Sequence, residues 1–257
     1  MRIALTIAGS DSSGGAGIQA DLKTFAALGV YGTSAITAIT AQSTAGVVEA
    51  AVLSADLVTA QIEAIAGDID IDAVKTGMLG DAAVVEAVAA TIKELELPLV
   101  VVDPVLASTS GIRLLDDDGV EMLCAELLPL ARVVTPNLPE AEVLSGKRIV
   151  SDDDVREAAR RIHDLGASAI IITGGHRPGE AVTDVLFDGR AFTEFRTPRV
   201  ETQDVHGTGC TFASAVAAHL ALGRTLEEAA ELAQQYVAGA IQRSLAIGKG
   251  GRVLGHL

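Results

Sequence analysis

Apolar and polar positions follow one another along the chain in blocks that predict strands and helices in alternation. Short runs of apolar residues, typical of parallel strands that are covered on both faces, occupy residues 2–8, 73–76, 99–102, 133–135 and 169–173. Apolar residues at helical spacing lie between and after these runs, at 55–66, 82–95, 151–166 and 226–247. This order of elements is typical of an α/β protein.

Further strands are predicted outside the apolar runs. Residues 31–42 and 47–53 are rich in β-branched and small residues. Residues 182–187 are joined to 191–195 through Asp188 and Gly189, a pair typical of a hairpin turn. Strands that alternate with helices predict a mainly parallel, doubly wound sheet, which we expect to form one domain over residues 1–257.

Chemically competent side chains follow several predicted strands, at the carboxyl ends where such sheets bind ligands. Asp103 ends a buried strand, and a buried carboxylate is costly unless it is paired or near a cation. Asn137 and Glu140, three residues apart, are placed to reach metal-bound water or phosphate, although a turn followed by an ordinary helical acid has the same pattern. The other residues at these ends include Gly9, Met78 and Thr173.

Residues 9–17 form a loop rich in glycine and serine. The loop lacks the Gly-Lys-Ser/Thr ending of a Walker loop and is not a clean dinucleotide fingerprint, so a structural turn and a substrate lid both remain open. Asp21, in the helix predicted after it, has the pattern of an ordinary solvated or capping acid.

The stretch Gly207-Thr208-Gly209-Cys210 precedes an alanine-rich segment that predicts a buried helix. Glycine allows a tight turn, and the first amides of a helix have no intrahelical partners and lie at its positive end. The stretch is therefore a candidate anion site with a nucleophile-capable cysteine beside it. A glycine turn before a core helix, with a small buried cysteine, is the structural alternative.

Composition narrows the classes of function. The 257 residues carry a formal net charge of -15, which argues against electrostatic binding of nucleic acid or of anionic membranes. Two cysteines give no disulfide framework, and the five histidines lack metal-ligand spacing. The apolar N-terminal run is too short for a signal peptide, and no run approaches the ~20 residues that span a bilayer. We expect a soluble, cytoplasmic protein.

Three motifs together resemble the hydroxymethylpyrimidine/phosphomethylpyrimidine kinases of thiamin biosynthesis, in the ribokinase-like superfamily. They lie at residues 8–21, at 135–140 (Thr-Pro-Asn-Leu-Pro-Glu) and at 206–211 (His-Gly-Thr-Gly-Cys-Thr), and the similarity covers nearly the whole chain. The resemblance implies a three-layer α/β/α sandwich, and ATP with Mg²⁺ as cofactors. It implies phosphorylation of the small molecule 4-amino-5-hydroxymethyl-2-methylpyrimidine and then of its monophosphate. It also implies that the protein is a homodimer.

The resemblance also implies roles for individual residues. Cys210 would take the proton of the attacking hydroxymethyl, with a pKa lowered by the helix N-terminus, while amides of Gly207, Thr208 and Gly209 stabilise the transferred phosphoryl group. The residues implied around the pyrimidine are Gly9, Asp21, Gln42, Met78 and Val105. Those implied for ATP are Asn137, Thr173 and Lys249, and those for magnesium are Asp103 and Glu140.

One position departs from the family pattern, and two rival hypotheses remain. Thr173 begins Thr-Gly-Gly-His where many members have Lys-Gly-Gly-His, so a phosphate contact from a lysine is not expected there. A pyridoxal or pyridoxine kinase shares the fold and the ATP chemistry; Gln42, whose amide suits an aminopyrimidine edge, favours the pyrimidine. A non-catalytic pyrimidine-binding protein is the second rival, against which Cys210, Asp103 and Glu140 argue.

Overall fold

A nine-stranded sheet organises this computed structural model, which describes residues 1–108, 111–175, 179–202 and 205–256. Its strands are β1 (Ile3–Asp11), β2 (Tyr31–Ser43), β3 (Gly46–Val52), β4 (Ala73–Thr76), β5 (Val100–Val102), β6 (Val133–Val134), β7 (Ile170–Ile172), β8 (Ala181–Phe187) and β9 (Phe192–Pro198). Their spatial order is β3-β2-β1-β4-β5-β6-β7-β8-β9. Neighbours from β2 to β7 pair in parallel, and the pairs β2–β3, β7–β8 and β8–β9 are antiparallel.

Helices cover both faces of the sheet. They are α1 (Gly17–Ala27), α2 (Ala55–Ala66), α3 (Ala82–Glu94), α4 (Asp117–Met122), α5 (Leu138–Ser145), α6 (Asp152–His163), α7 (Thr208–Ala221) and α8 (Leu226–Gln242). One core contains the buried residues of α2, α3, α5 and α6, and the other those of α1, α7 and α8. Val100 and Val102 face the first core and Val101 the second, because successive strand residues point to opposite faces. The predicted three-layer α/β/α sandwich is confirmed.

Most predicted elements are confirmed, several with ends shifted by one to three residues, and two of the shifted boundaries have clear reasons. The last long helix ends at Gln242 rather than at residue 247, because the chain turns back and Leu245 pairs with Val253. The first strand continues beyond residue 8, across an irregularity at Gly9, and pairs Ser10 with Ile39. That irregularity brings the glycine loop to the carboxyl edge of the sheet.

Two short parallel strands beside the main sheet were not predicted. They are β10 (Val205–His206) and β11 (Arg252–Val253), and they join the turn before α7 to the C-terminal segment. Among the described residues, no helix combines the length and the apolar character needed to cross a bilayer.

Candidate active site

Adjacent strands of the sheet bring the predicted residues to one edge. Asp103 follows β5 and donates its backbone N–H to the carbonyl oxygen of Thr76, at the end of β4. Farther along the same edge, Asn137 forms an isolated parallel bridge with Thr173. The predicted clustering at the carboxyl ends of the strands is therefore confirmed.

The turn before α7 fits closely against the glycine loop. Gly207 is the N-cap of α7 with a φ of 87°, and a Cβ at this position would lie 1.9 Å from the carbonyl oxygen of Gly15. Only glycine both adopts this positive φ without strain and lacks the Cβ for which there is no space. A Cβ at Gly209 would meet nothing within 4 Å, so this turn is open on the outer side. The first amides of α7 are thus available to an anion beside the open turn.

Cys210 lies in the first turn of α7, between the glycine loop and Asp103. Its thiol lies next to Asp103 and to the backbone of Gly17. Burial raises the pKa of the thiol to about 12; Lys75 opposes this rise, while the charges of Asp103 and Asp21 add to it. The expected lowering of this pKa is wrong for the ligand-free chain, because burial and two carboxylates outweigh the helix N-terminus.

Asp21 lies beneath the site and not on its surface. Its side chain is completely buried, and its oxygens accept hydrogen bonds from the Thr6 hydroxyl (2.6 Å), the Ser214 hydroxyl (2.7 Å) and the Lys75 ammonium (2.9 and 3.0 Å). The structure therefore corrects the expectation of direct contact between Asp21 and a pyrimidine. The simpler expectation of a solvated or capping acid is wrong as well.

Lys75 is the charged residue that the sequence analysis missed. It sits inside an apolar strand pattern in β4, and its side chain is as deeply buried as that of Asp21. Burial works against the charged form, but Asp21, Cys210 and Asp103 together raise the pKa of Lys75 above its ordinary value. A lysine within a four-residue buried strand, next to Thr76-Gly77, was the available signal.

Asp103 and Glu140 are buried carboxylates with raised pKa values. Burial raises the pKa of Asp103 to about 6, against the opposing charge of Lys75. Burial and the neighbouring Asp103 raise the pKa of Glu140 to about 7, although hydrogen bonds from the Asn137 and Leu106 backbone oppose this rise. One oxygen of Asp103, Oδ2, is buried and has no hydrogen-bond partner. Two neighbouring buried acids fit a divalent cation, and the unpartnered Oδ2 itself faces the Lys75 ammonium at 4.0 Å.

The described residues contain no group of three or more histidine, cysteine or acidic side chains converging on a metal position. Magnesium is commonly held by one or two carboxylates together with the phosphates of the nucleotide, and Asp103 and Glu140 are two such carboxylates.

Asn137 caps α5 in a reciprocal arrangement with Glu140. The Asn137 side-chain oxygen accepts from the Glu140 N–H at 3.0 Å, and the Glu140 carboxylate accepts from the Asn137 N–H at 2.9 Å. Asn137 and Glu140 thus form the turn and the helical acid that the sequence analysis gave as the structural alternative. The two reciprocal hydrogen bonds fix both side chains at the edge of the sheet.

Gln42 lies at the end of β2, where its side-chain amide has partners at both atoms. Its Nε2 is 2.7 Å from Nε2 of His206, and its Oε1 accepts from the Thr40 hydroxyl at 3.1 Å. His206 also lies 3.3 Å from Asp11 Oδ2 and so connects Gln42 with the glycine loop. Sequence reasoning found no role for His206, because its partners are distant in the chain.

Met78, Gly9 and Val105 lie at the same edge. A Cβ at Gly9 would be 3.2 Å from the sulfur of Met78, so the missing side chain makes room for this thioether. Val105 has a φ of 42°, a rare conformation for a β-branched residue. Such conformations cluster at functional sites. Met78 and Val105 are both partly exposed, as apolar walls of a ligand site must be.

Of the residues implied for ATP, Asn137 and Thr173 lie together after β6 and β7, whereas the segment of Lys249 lies against Thr44, at the turn between β2 and β3. Thr173 donates its N–H to Pro136, and the next amide, of Gly174, donates to the buried Asp184 carboxylate at 2.8 Å. Lys249 is exposed, and the glycine after it is held by hydrogen bonding to Thr44. His176 lies outside the described residues.

Comparison with known proteins assigns the chain to a family. The family model described as phosphomethylpyrimidine kinase matches residues 11–254. The chain belongs to the phosphomethylpyrimidine kinase family. It is therefore a phosphotransferase with a ribokinase-like fold, as the resemblance implied.

Individual relatives agree with this membership in the phosphomethylpyrimidine kinases. A hydroxymethylpyrimidine/phosphomethylpyrimidine kinase of Bacillus subtilis is 48% identical over 96% of this chain and 92% of its own. A thiamine biosynthesis bifunctional protein of Geobacter sulfurreducens is also 48% identical over 98% of this chain, which spans 52% of that longer protein. The crystal structure of an ADP complex of Bacillus subtilis pyridoxal kinase has a TM-score of 0.92 and 42% identity, covering 100% of this chain and 97% of that one.

Proposed function

We propose that the chain transfers the γ-phosphoryl group of ATP to the hydroxymethyl group of 4-amino-5-hydroxymethyl-2-methylpyrimidine, and then phosphorylates the monophosphate to the pyrophosphate used for thiamin. The observation that carries this proposal is the open N-terminus of α7, with Cys210 and the neighbouring Asp103 beside it. Phosphoryl transfer depends mainly on positioning and on electrostatic stabilisation, and this arrangement supplies both.

Cys210 acts in this proposal as the base for the attacking hydroxyl. It must first give up its own proton, and because Cys210 is partly exposed this proton passes to solvent. The Gly207, Thr208 and Gly209 turn then donates amide hydrogens to the oxygens of the transferred phosphoryl group. The open space over Gly209 gives this group room.

Asp103 and Glu140 would hold Mg²⁺, which when bound neutralises charge on the nucleotide phosphates. Asn137 and Thr173 face the phosphates in this proposal, and Lys249 lies toward the nucleotide. The ADP complex of the pyridoxal kinase supports ATP as the phosphoryl donor.

Gly9, Gln42, Met78 and Val105 form the pyrimidine side of the proposed site. The Gln42 amide both donates and accepts, which matches the amino group and ring nitrogen of an aminopyrimidine. Asp21 supports this side from below, through its hydrogen bonds to Thr6 and Ser214 and its ion pair with Lys75.

Phosphorylation of pyridoxal is a second candidate activity. It is favoured by the likeness to the Bacillus subtilis pyridoxal kinase over the full length of this chain. The two activities use the same ATP chemistry and differ in how the ring is recognised, so Gln42 is the residue on which the choice depends.

The proposed assembly is a cytoplasmic homodimer. Apolar side chains on β2 and β3 are exposed, with Ile39 at 52% and Val48 at 84%, and Tyr31 lies at the start of β2 with 56% exposure. An exposed apolar edge of this kind is stabilised when a second copy covers it. The net charge of -15 speaks against nucleic acid as a partner.

A product assay tests the function directly. The protein is incubated with ATP and Mg²⁺ and, in parallel, hydroxymethylpyrimidine, its monophosphate or pyridoxal, and the products are separated by mass. We expect both pyrimidines to be phosphorylated and pyridoxal to react poorly. Pyridoxal phosphate as the main product would contradict the proposed substrate and establish the second candidate.

A further inference from the structure

A lysine ammonium is buried beneath the N-terminus of α7, where the proposed chemistry needs positive charge. Lys75 is fully buried in β4, and its Nζ lies 2.9 and 3.0 Å from the two carboxylate oxygens of Asp21. A bidentate pair with no solvent exposure holds the ammonium in one position.

The strand leaves room for this ammonium. A Cβ added at Gly77, two residues after Lys75, would lie 2.7 Å from Nζ and 3.7 Å from Cε. Glycine at position 77 therefore admits the charged end of the side chain. Any larger residue there must displace it.

Asp21 connects the ammonium to the helix that carries Cys210. The Ser214 hydroxyl donates to Asp21 at 2.7 Å, and Ser214 lies four residues after Cys210, on the same face of α7. On the sheet, the Thr6 hydroxyl donates to the other oxygen of Asp21 at 2.6 Å. The Lys75–Asp21 pair thus joins β1, β4 and α7 directly below the proposed base.

The same ammonium faces Asp103. Lys75 Nζ lies 4.0 Å from Asp103 Oδ2, and this oxygen is buried without a hydrogen-bond partner. Two carboxylates and one ammonium share this space, so the ammonium neutralises only part of the negative charge. Its removal would leave Asp21 and Asp103 facing each other inside the protein.

We propose that Lys75 is a positioning residue for phosphoryl transfer. Its ammonium holds Asp103 and the Cys210 end of α7 in place and offsets part of the negative charge of Asp21 and Asp103 beneath the anion site. Lys75 does not touch the substrate. This inference rests on the proposed function. If the ion pair were purely structural, kcat of the variants would fall and recover together with their melting temperature.

The double variant D21N/K75M separates these two roles. K75M alone leaves Asp21 unpaired and should lower the melting temperature, whereas the double variant removes both charges and should recover it. We expect kcat of the double variant to remain roughly 100-fold below wild type, with KM for ATP and hydroxymethylpyrimidine within about threefold. Recovery of kcat together with the melting temperature would overturn the proposal.

The matched control removes another lysine–aspartate pair. Lys147 and Asp154 are 2.9 Å apart and partly buried at α6, and K147M/D154N should leave kcat unchanged. Turnover by the wild-type protein in the same assay tests the proposed function by itself, so failure of that function is distinguishable from failure of the Lys75 inference.

The variant G77A tests the position of the ammonium without removing a charge. The added Cβ must move Nζ, and we expect kcat to fall by more than about tenfold. In the K75M background the methionine ends near the position of Cε, 3.7 Å from the added Cβ, and the close contact that remains is the one with the Ala8 Cβ at 3.0 Å, so G77A should cause a much smaller further loss. An unchanged kcat in G77A would overturn the proposal even if the double variant does not fold.

Discussion

Cys210 is the residue on which the proposed chemistry depends most directly. It lies in the first turn of α7, next to Asp103. Its raised pKa means that burial and the surrounding carboxylates disfavour the thiolate, so Cys210 must be activated before it can act as a base.

Replacement of Cys210 by alanine should fold and still bind the pyrimidine. We expect kcat to fall by roughly 100- to 10,000-fold, the usual contribution of a general base. Steady-state kinetics measure turnover, and calorimetry measures pyrimidine binding. Cys124→Ala is the matched control, because Cys124 lies in the helical turn Leu123–Leu127 and should leave turnover unchanged. Near-wild-type turnover of the Cys210 variant would falsify the assignment of the base.

Gln42 is predicted to set the preference between the two rings. Gln42→Leu keeps the approximate shape and removes the amide, so an aminopyrimidine loses its hydrogen-bond partner while pyridoxal loses less. We expect kcat/KM for hydroxymethylpyrimidine to fall by about tenfold or more relative to that for pyridoxal. Competition assays with both substrates give this ratio.

Gln61 provides the control for that measurement. It lies on α2, and its amide bonds the backbone N–H and carbonyl of Ile36 in β2. Gln61→Leu should lower stability without changing the ratio of the two substrates. A ratio that changes equally in both variants would argue against recognition by Gln42.

At the scale of elements, three of the described helices, α5, α6 and α8, begin with the same capping arrangement, and the first two compare the site with a place away from it. Asn137 and Glu140 cap α5 at the site, and Ser151 and Asp154 cap α6 away from it. Such caps contribute about 1 kcal/mol each. Comparing the cap of α5 with that of α6 therefore separates the contribution of a cap to stability from any contribution to function.

Asn137→Ala and Ser151→Ala should each lower the free energy of unfolding by about 1 kcal/mol. Only Asn137→Ala should raise KM for ATP, because its side chain fixes Glu140 at the phosphate side of the site. Urea unfolding and steady-state kinetics measure the two effects. Equal KM values in the two variants would show that Asn137 is only a cap.

At the scale of the whole molecule, His256 makes stability depend on pH. Burial, together with the charges of Lys23 and Arg243, lowers its pKa to about 4, while the unfolded chain keeps the usual value of about 6.5. Between these values the unfolded state binds more protons, so stability is fully present above pH 6.5 and is lost as the pH falls toward 4.

His256→Gln should flatten this dependence. Relative to pH 7.5, we expect the wild type to lose about 2 kcal/mol more than the variant by pH 4.5. Urea unfolding of both proteins at several pH values gives this difference in the free energy of unfolding. The contributions of the other titratable groups are the same in both proteins and cancel. Parallel curves would contradict the assignment to His256.

The sequence alone determined the order of elements and the edge at which the chemistry lies. Apolar periodicity depends on neighbouring residues, so the helix at Ala55–Ala66 and the strand at Ala73–Thr76 could be predicted with their observed ends. The motif Gly207-Thr208-Gly209-Cys210 also predicts its own turn and helix, because glycine and helix termini act locally.

Only the tertiary structure decided what surrounds each charged group. In the sequence Lys75 is one polar residue in an apolar strand, and only the tertiary structure places it against Asp21, 54 positions away. The pKa of Cys210 could not be deduced from its helix position, because burial and the carboxylates of distant segments outweigh the helix N-terminus. Desolvation and charge pairing depend on distances in space, and the sequence records only distances along the chain.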